Sequence, residues 1–252
     1  MIEVSNLTKQ LGNNKVLQGL SFSIPANCIA GLLGPNGAGK TTTIKVLSTL
    51  LGPTGGSVSI DGYDTVNSAF DVRKRLGYLP EDPPLYNELT VLEQLKLAGG
   101  LQGLRGEKLS KAINKAVEKC QLQEVLKTDV FKLSKGFRQR VGIAQSILHD
   151  PKVIILDEPT NGLDPIQLVQ ARTIIRSLAE SSTVLFSSHL LQEVVEICSR
   201  VILIAEGKKL FEAELEQSSS GQTSSRQELE RRFIEAVQGV SAQTNTPQGA
   251  SA

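Results

Sequence analysis

The sequence predicts an α/β protein with a mixed sheet, an N-terminal antiparallel β subdomain and an inserted α-helical subdomain. Three observations carry this prediction. Residues 2–8 and 16–24 alternate apolar and polar side chains, as half-buried antiparallel strands do. The apolar run 28–33 ends directly in Gly34-Pro35-Asn36-Gly37-Ala38-Gly39-Lys40-Thr41-Thr42, a glycine loop that opens a helix. Later, the apolar runs 153–157, 183–187 and 201–204 alternate with helical patterns over 165–180 and 190–198. Such alternation gives parallel strands with a site at their carboxyl ends.

The first helix is expected over 39–51, stopped by Gly52-Pro53 and the turn-rich Thr54-Gly55-Gly56. Asp82-Pro83-Pro84 marks a break. Residues 90–149 then turn helical, with Val91, Leu92, Leu95 and Leu97 first and Ile113, Ala116, Val117 and Cys120 after. This places a helical subdomain at about 85–150 inside a domain of 1–216. Residues 217–227 are Ser/Gln-rich without an apolar side chain and read as a flexible linker. A short amphipathic helix is expected over 228–239, its stripe of Leu229, Phe233 and Val237 free to dock on the core or on a partner. Residues 240–252 are small and polar and read as disordered.

Composition narrows the function. Of 252 residues, 27 are Lys or Arg and 26 are Asp or Glu, a net charge of +1. That balance argues against bulk electrostatic attachment to nucleic acid or anionic lipid. No apolar run approaches the roughly 18 residues of a membrane-spanning helix. The start Met-Ile-Glu-Val lacks a basic-then-apolar leader, so secretion is not expected. Cys28, Cys120 and Cys198 are far apart and read as structural thiols of a reducing compartment. His149, before Asp150-Pro151 at a helix end, reads as a surface residue.

The glycine loop fits G-x-x-x-x-G-K-[ST], a phosphate-binding loop. Gly34, Gly37 and Gly39 let backbone N–H groups curve onto phosphate oxygens. Lys40 reaches the β- and γ-phosphates, and the Thr41 hydroxyl oxygen can ligate Mg²⁺. On this motif alone the protein is a kinase, a GTPase or an ATPase. Asp157 and Glu158 follow the apolar run 153–156. At a strand tip, Asp157 can hold magnesium and Glu158 can take a proton from an attacking water.

The loop is one of five segments in fixed order. The others are GYLPE (77–81), LSKGFRQR (133–140), VIILDEPTNGLD (153–164) and SSH (187–189). Together they resemble the ATP-binding cassette of ABC transporters, over residues 2 to about 215. The resemblance implies the ABC ATPase fold with a P-loop NTPase core, and ATP with Mg²⁺ as cofactors. It makes Glu158 the general base and His189 the switch histidine that holds the γ-phosphate and the water in line. Glu81 stands where most cassettes carry a glutamine that contacts magnesium. Ser134 and Gly136 match the γ-phosphate contacts of the signature LSGGQ, from which Lys135 and Phe137 depart. Asp164 matches the residue that meets the partner subunit's phosphate loop. Leu11 stands where many cassettes stack an aromatic on adenine; Val16 can still pack beneath the base, and the plain reading of Leu11 is that it caps a hairpin.

In this fold the Ser134–Gly136 turn does not reach its own phosphate loop. The resemblance therefore implies a second copy of the subunit, head to tail, sandwiching two Mg·ATP. It also implies separate transmembrane permease subunits, docking near residues 81–86 and the helical subdomain, and a place on the cytoplasmic face of the membrane. GYLPE and LSKGF are similar to the exporter branch. No nucleic-acid partner is expected. The alternative is a non-transport cassette ATPase acting on a macromolecular assembly. Ribosomal types fuse two cassettes and DNA-repair types carry long coiled coils, and this chain does neither.

Overall fold

The computed structural model describes residues 1–215 and 224–244. β1 (Ile2–Leu11) and β2 (Asn14–Ile24) form an antiparallel hairpin. β3 (Ile29–Leu33) runs into the glycine loop, and α1 (Lys40–Leu47) follows. β4 (Gly55–Ile60) and β5 (Tyr63–Asp64) complete an antiparallel sheet ordered β2-β1-β4-β5. α2 (Ala69–Arg75) leads into β6 (Leu76–Leu79). The helical insertion consists of α3 (Val91–Leu101), α4 (Gly106–Lys119) and α5 (Lys135–Ser146). β7 (Val153–Leu156), α6 (Pro165–Ala179), β8 (Thr183–Ser188) and α7 (Leu191–Ile197) come next. β9 (Arg200–Ala205) and β10 (Lys208–Glu214) pair antiparallel, and α8 (Ser224–Thr244) follows.

The second sheet has the order β10-β9-β3-β8-β7-β6 and is parallel from β9 to β6. Its central strands are buried on both faces, so their side chains divide by the two-residue period between two cores. Val184 and Phe186 of β8, with Ile154 and Leu156 of β7, face the helical insertion and α6. Leu185, Val153 and Ile155 face α1 and the antiparallel sheet. Helix starts follow local chemistry. Thr90 and Glu93 form a capping box at α3, Ser134 caps α5, and Asp164 caps α6 ahead of Pro165.

Several expectations change. The first helix ends at Leu47 rather than 51, because Leu50 and Leu51 fold back to donate their N–H groups to the Lys45 carbonyl. β4, β5, α2, β6 and β10 are elements that the sequence reading did not assign. They are short, and β4 buries only Val58 and Ile60, too few for a visible period. His149 is half-buried rather than a surface residue: its Nε2 donates to the Leu76 carbonyl at 3.1 Å, and burial lowers its pKa. Cys120 and Cys198 are buried free thiols, and burial pushes Cys120 up to about 12, which keeps it inert.

The amphipathic helix is longer than 228–239, as Arg226, Gln227, Ala242 and Gln243 extend it at good helix propensity. Residues 216–223 and 245–252, which hold most of the expected linker and tail, lie outside the described residues. So does the side chain of Val237. Leu229 is fully buried and Phe233 packs beside it, so α8 docks on the core against β10, β9 and α7. Arg232 fastens it further by donating to the Leu210 carbonyl at 3.1 Å. Leu229→Ala is expected to cost about 2–5 kcal/mol, read as a fall in urea midpoint. An unchanged midpoint would mean that α8 is an appendage.

Candidate functional site

The carboxyl ends of β3, β8, β7 and β6 lie side by side and set the site. Leu33 pairs with Ser188, Leu156 with Phe186 and Leu79 with Leu156. The glycine loop wraps the tip of β3. Gly37 and Gly39 have φ of 81° and 102°, left-handed values that favour glycine. A side chain at Gly39 would also meet the Leu17 methyl at 2.8 Å, and one at Gly34 would strike the Ile204 carbonyl. Ala38 is buried in the core beneath, and its carbonyl accepts from the Gly207 N–H. The loop is thus held from below.

A cleft of about 400 Å³ opens over this loop. Asn36, Gly37, Gly39, Lys40, Thr41 and Thr42 supply one wall. Glu81, Glu158 and His189 come from the tips of β6, β7 and β8, and Val16 comes from β2. The Lys40 ammonium donates to the Gly34 and Pro35 carbonyls at 2.8 and 3.3 Å and pairs with Glu158 at 3.2 Å. His189 Nδ1 lies 2.9 Å from the other Glu158 oxygen. Since that oxygen accepts, the ring donates from Nδ1, which leaves Nε2 as its second polar atom. Glu158 itself has φ 48°, left-handed backbone that a non-glycine residue adopts at a cost of about 1–2 kcal/mol.

Asp157 is buried below the cleft. It accepts from the Ser187 hydroxyl at 2.6 Å. Burial raises its pKa, and the hydroxyls of Ser187 and nearby Thr41 oppose the rise. The side chains of Thr41, Asp157 and Glu81 would offer a cation oxygen donors only. Among the described residues no group of three His, Cys, Asp or Glu is placed to enclose a metal ion. Sparse oxygen donors beside a phosphate site suit Mg²⁺, which keeps waters and shares substrate phosphates. The residues therefore fit that ion.

The sequence reading did not single out Asn161, which lines the cleft and donates from Nδ2 to Glu81 at 3.0 Å. Asn161 belongs to the turn after Asp157-Glu158 and closes it, its N–H donating to the Glu158 carbonyl at 3.1 Å. Of the expected residues, Gly34, Pro35, Ala38 and Asp157 lie beneath or beside the cleft without lining it, and Ser134, Gly136 and Asp164 are not brought to it. Ser134 and Asp164 sit at helix starts, and Gly136 lies against the Gln167 side chain of α6. Leu11 is also outside the cleft. It pairs with Asn14 across the hairpin and is 45% exposed.

A phosphate-type loop on one parallel strand, with a carboxylate-tipped strand one place beyond its neighbour, defines a nucleotide-hydrolysing α/β protein. The ABC transporter family model matches residues 17–161, and the chain belongs to that family. It is an ATP-binding, ATP-hydrolysing subunit of the ABC transporter type. The bacitracin transport ATP-binding protein BcrA of Bacillus licheniformis is 40% identical over 214 residues, covering 84% of this chain and 69% of that protein. The lantibiotic transport ATP-binding protein SrtF of Streptococcus pyogenes is 38% identical over 221 residues, covering 87% and 93%. A dimeric structure of the bacterial ABC transporter cassette MJ0796 superposes with a TM-score of 0.77 at 25% identity, covering 86% of this chain and all of that one. Among the described residues no helix is long and apolar enough to cross a membrane.

Proposed function

We propose that the cleft binds Mg·ATP and that Glu158 is the general base of its hydrolysis. The observation that carries this is the Glu158 carboxylate, held between the Lys40 ammonium and the His189 ring at the mouth of the phosphate loop. Asn36, Gly37, Gly39 and Thr42 would cradle the phosphates by their backbone N–H groups on a curve shaped by Gly34, Pro35 and Ala38, and Lys40 would turn from Glu158 to the γ-phosphate. Thr41 and Asp157, with Glu81, would hold Mg²⁺, which neutralises phosphate charge when bound. Glu158, released from Lys40, would then accept the proton of a water that His189 helps to hold in line.

Ser134, Gly136 and Asp164 would complete the cleft of a second copy, head to tail. Their absence from their own cleft supports this reading, as does the dimeric relative. Closure would drive separate permease subunits on the cytoplasmic face, docked near residues 81–86. The bacitracin and lantibiotic names of the relatives favour export. Light scattering tests the dimer: the chain should be dimeric with ATP when Glu158 is replaced by Gln, and monomeric with ADP. A chain that stays monomeric with ATP would overturn it.

Base recognition should be weak. Val16 lines the cleft and Leu11 does not, so adenine would meet an aliphatic side chain without a matching aromatic face. Aromatic stacking on bases is worth about 1–3 kcal/mol, or about tenfold to a hundredfold in affinity. Wild type should separate ATP from GTP poorly, and Leu11→Tyr should tighten ATP binding by about that factor. Strong wild-type preference for ATP with no effect of the tyrosine would count against it.

A further inference from the structure

Glu193, in the first turn of α7, is a carboxylate only 3% exposed, and it does not line the cleft. One of its oxygens accepts two hydroxyl protons: from Thr160 at 2.6 Å and from Ser188 at 2.7 Å. Thr160 lies two residues past Glu158, and Ser188 immediately precedes His189. The Ser188 oxygen in turn accepts the Leu190 N–H at 3.0 Å, so it shapes the turn that carries the histidine. Both hydroxyls are buried; without the carboxylate Thr160 would lose its acceptor, and Ser188 would keep only the long contact to the Leu190 carbonyl at 3.4 Å.

Burying a carboxylate is costly, and an aliphatic side chain would fill the same space without that cost. What the carboxylate adds is two short charge-assisted hydrogen bonds that join separate turns. On the other side, Ser187 donates to Asp157 at 2.6 Å and accepts the Glu158 N–H at 2.8 Å. The Glu158 turn is therefore fastened at both ends to the end of β8, which is what a left-handed non-glycine residue needs to persist.

We infer that Glu193 is a positioning residue for hydrolysis, a buried clamp that fixes the Glu158 turn against the His189 turn through Thr160 and Ser188. This rests on the reading of Glu158 as base. Its loss frees the two turns to drift apart, and misplacement by about 1 Å can cost about 10²-fold in rate. ATP binding depends on the phosphate loop, which meets the clamp only through the Ser188 backbone carbonyl, an acceptor for the Gly34 N–H at 3.3 Å that the side-chain change leaves in place.

The test compares Glu193→Ala and Glu193→Gln in the full chain, by steady-state hydrolysis of Mg·ATP and by calorimetric ATP binding. Glu193→Ala should lower kcat by about 10²-fold with ATP affinity unchanged. Glu193→Gln, whose amide oxygen can still accept both hydroxyl protons, should stay near the parent value. Adding Thr160→Val to Glu193→Ala should cost no further turnover, since the pair acts as one unit. Should Glu193→Ala fail to fold, Thr160→Val alone carries the test, and it should lower kcat with ATP affinity kept. Parent kcat in the folded alanine or valine variant would overturn the clamp. So would equal loss of affinity and kcat, or a glutamine variant as slow as the alanine one. Glu158→Gln run beside them separates the two ideas: if it keeps turnover, the base assignment fails, and if it alone loses turnover, only the clamp fails.

Discussion

Glu158→Gln leaves ATP binding intact and lowers turnover by about 10²- to 10⁴-fold, the usual contribution of a positioned general base. The substitution changes no volume. Its amide oxygen can still accept from His189 Nδ1, so the ring keeps its place at 2.9 Å. What it lacks is a site for the water's proton. The negative charge that faces Lys40 at 3.2 Å also disappears. Lys40 is then freer to meet phosphate, and ATP affinity should hold or rise. Phosphate release by the purified chain and calorimetric ATP binding check the two halves. Near-parental turnover would remove Glu158 from the mechanism, and loss of binding would show that the carboxylate shapes the cleft itself.

Ser134→Arg separates binding from hydrolysis in another way. Ser134 is exposed at the start of α5 and lies outside its own cleft. A single subunit should therefore bind ATP as tightly as the parent, while the bulky cation blocks closure on the partner's nucleotide and hydrolysis falls by about 10²-fold or more. The serine oxygen also accepts the Phe137 N–H, and losing that cap costs about 1 kcal/mol of stability. The melting temperature should drop slightly, which distinguishes a loosened helix from a blocked interface. Weaker ATP binding by the isolated subunit would contradict the head-to-tail arrangement.

Local chemistry made most of the core readable. β3, β7, β8 and β9 are apolar runs with hard stops, and their placement needs only period and length. The loop over 34–42 is legible because a closed set of glycines and one lysine must lie together in sequence to cup a phosphate. What escaped depends on contacts between distant residues. Nothing local marks Glu193 as buried, since a lone glutamate at a helix start is an ordinary surface residue until Thr160 and Ser188 are folded against it. β10 reads as a charged segment because much of its surface is polar and its pairing to β9 comes from the sheet. The docking of α8 was open in the sequence for the same reason: an apolar stripe does not name what covers it.

The cap at Ser134 has a bearing on how far this segment can drift. Its side-chain oxygen is bound to a backbone amide, that of Phe137, which any residue except proline can supply. The Phe137 ring does other work, stacking 4.0 Å beneath Arg140 and packing on the helical core. Lys135, at the first helical position, is exposed. The two departures from the signature pattern therefore fall where the cap asks only for an N–H and the core for an apolar ring, at Phe137, or at open solvent, at Lys135. Ser134 and Gly136, which keep the pattern, are constrained by side-chain chemistry and by space against Gln167. A saturation library over 134–137 should accordingly find Lys135 free, Phe137 open to other apolar side chains, and Ser134 and Gly136 fixed, so that sequence divergence in this motif is a poor measure of lost activity.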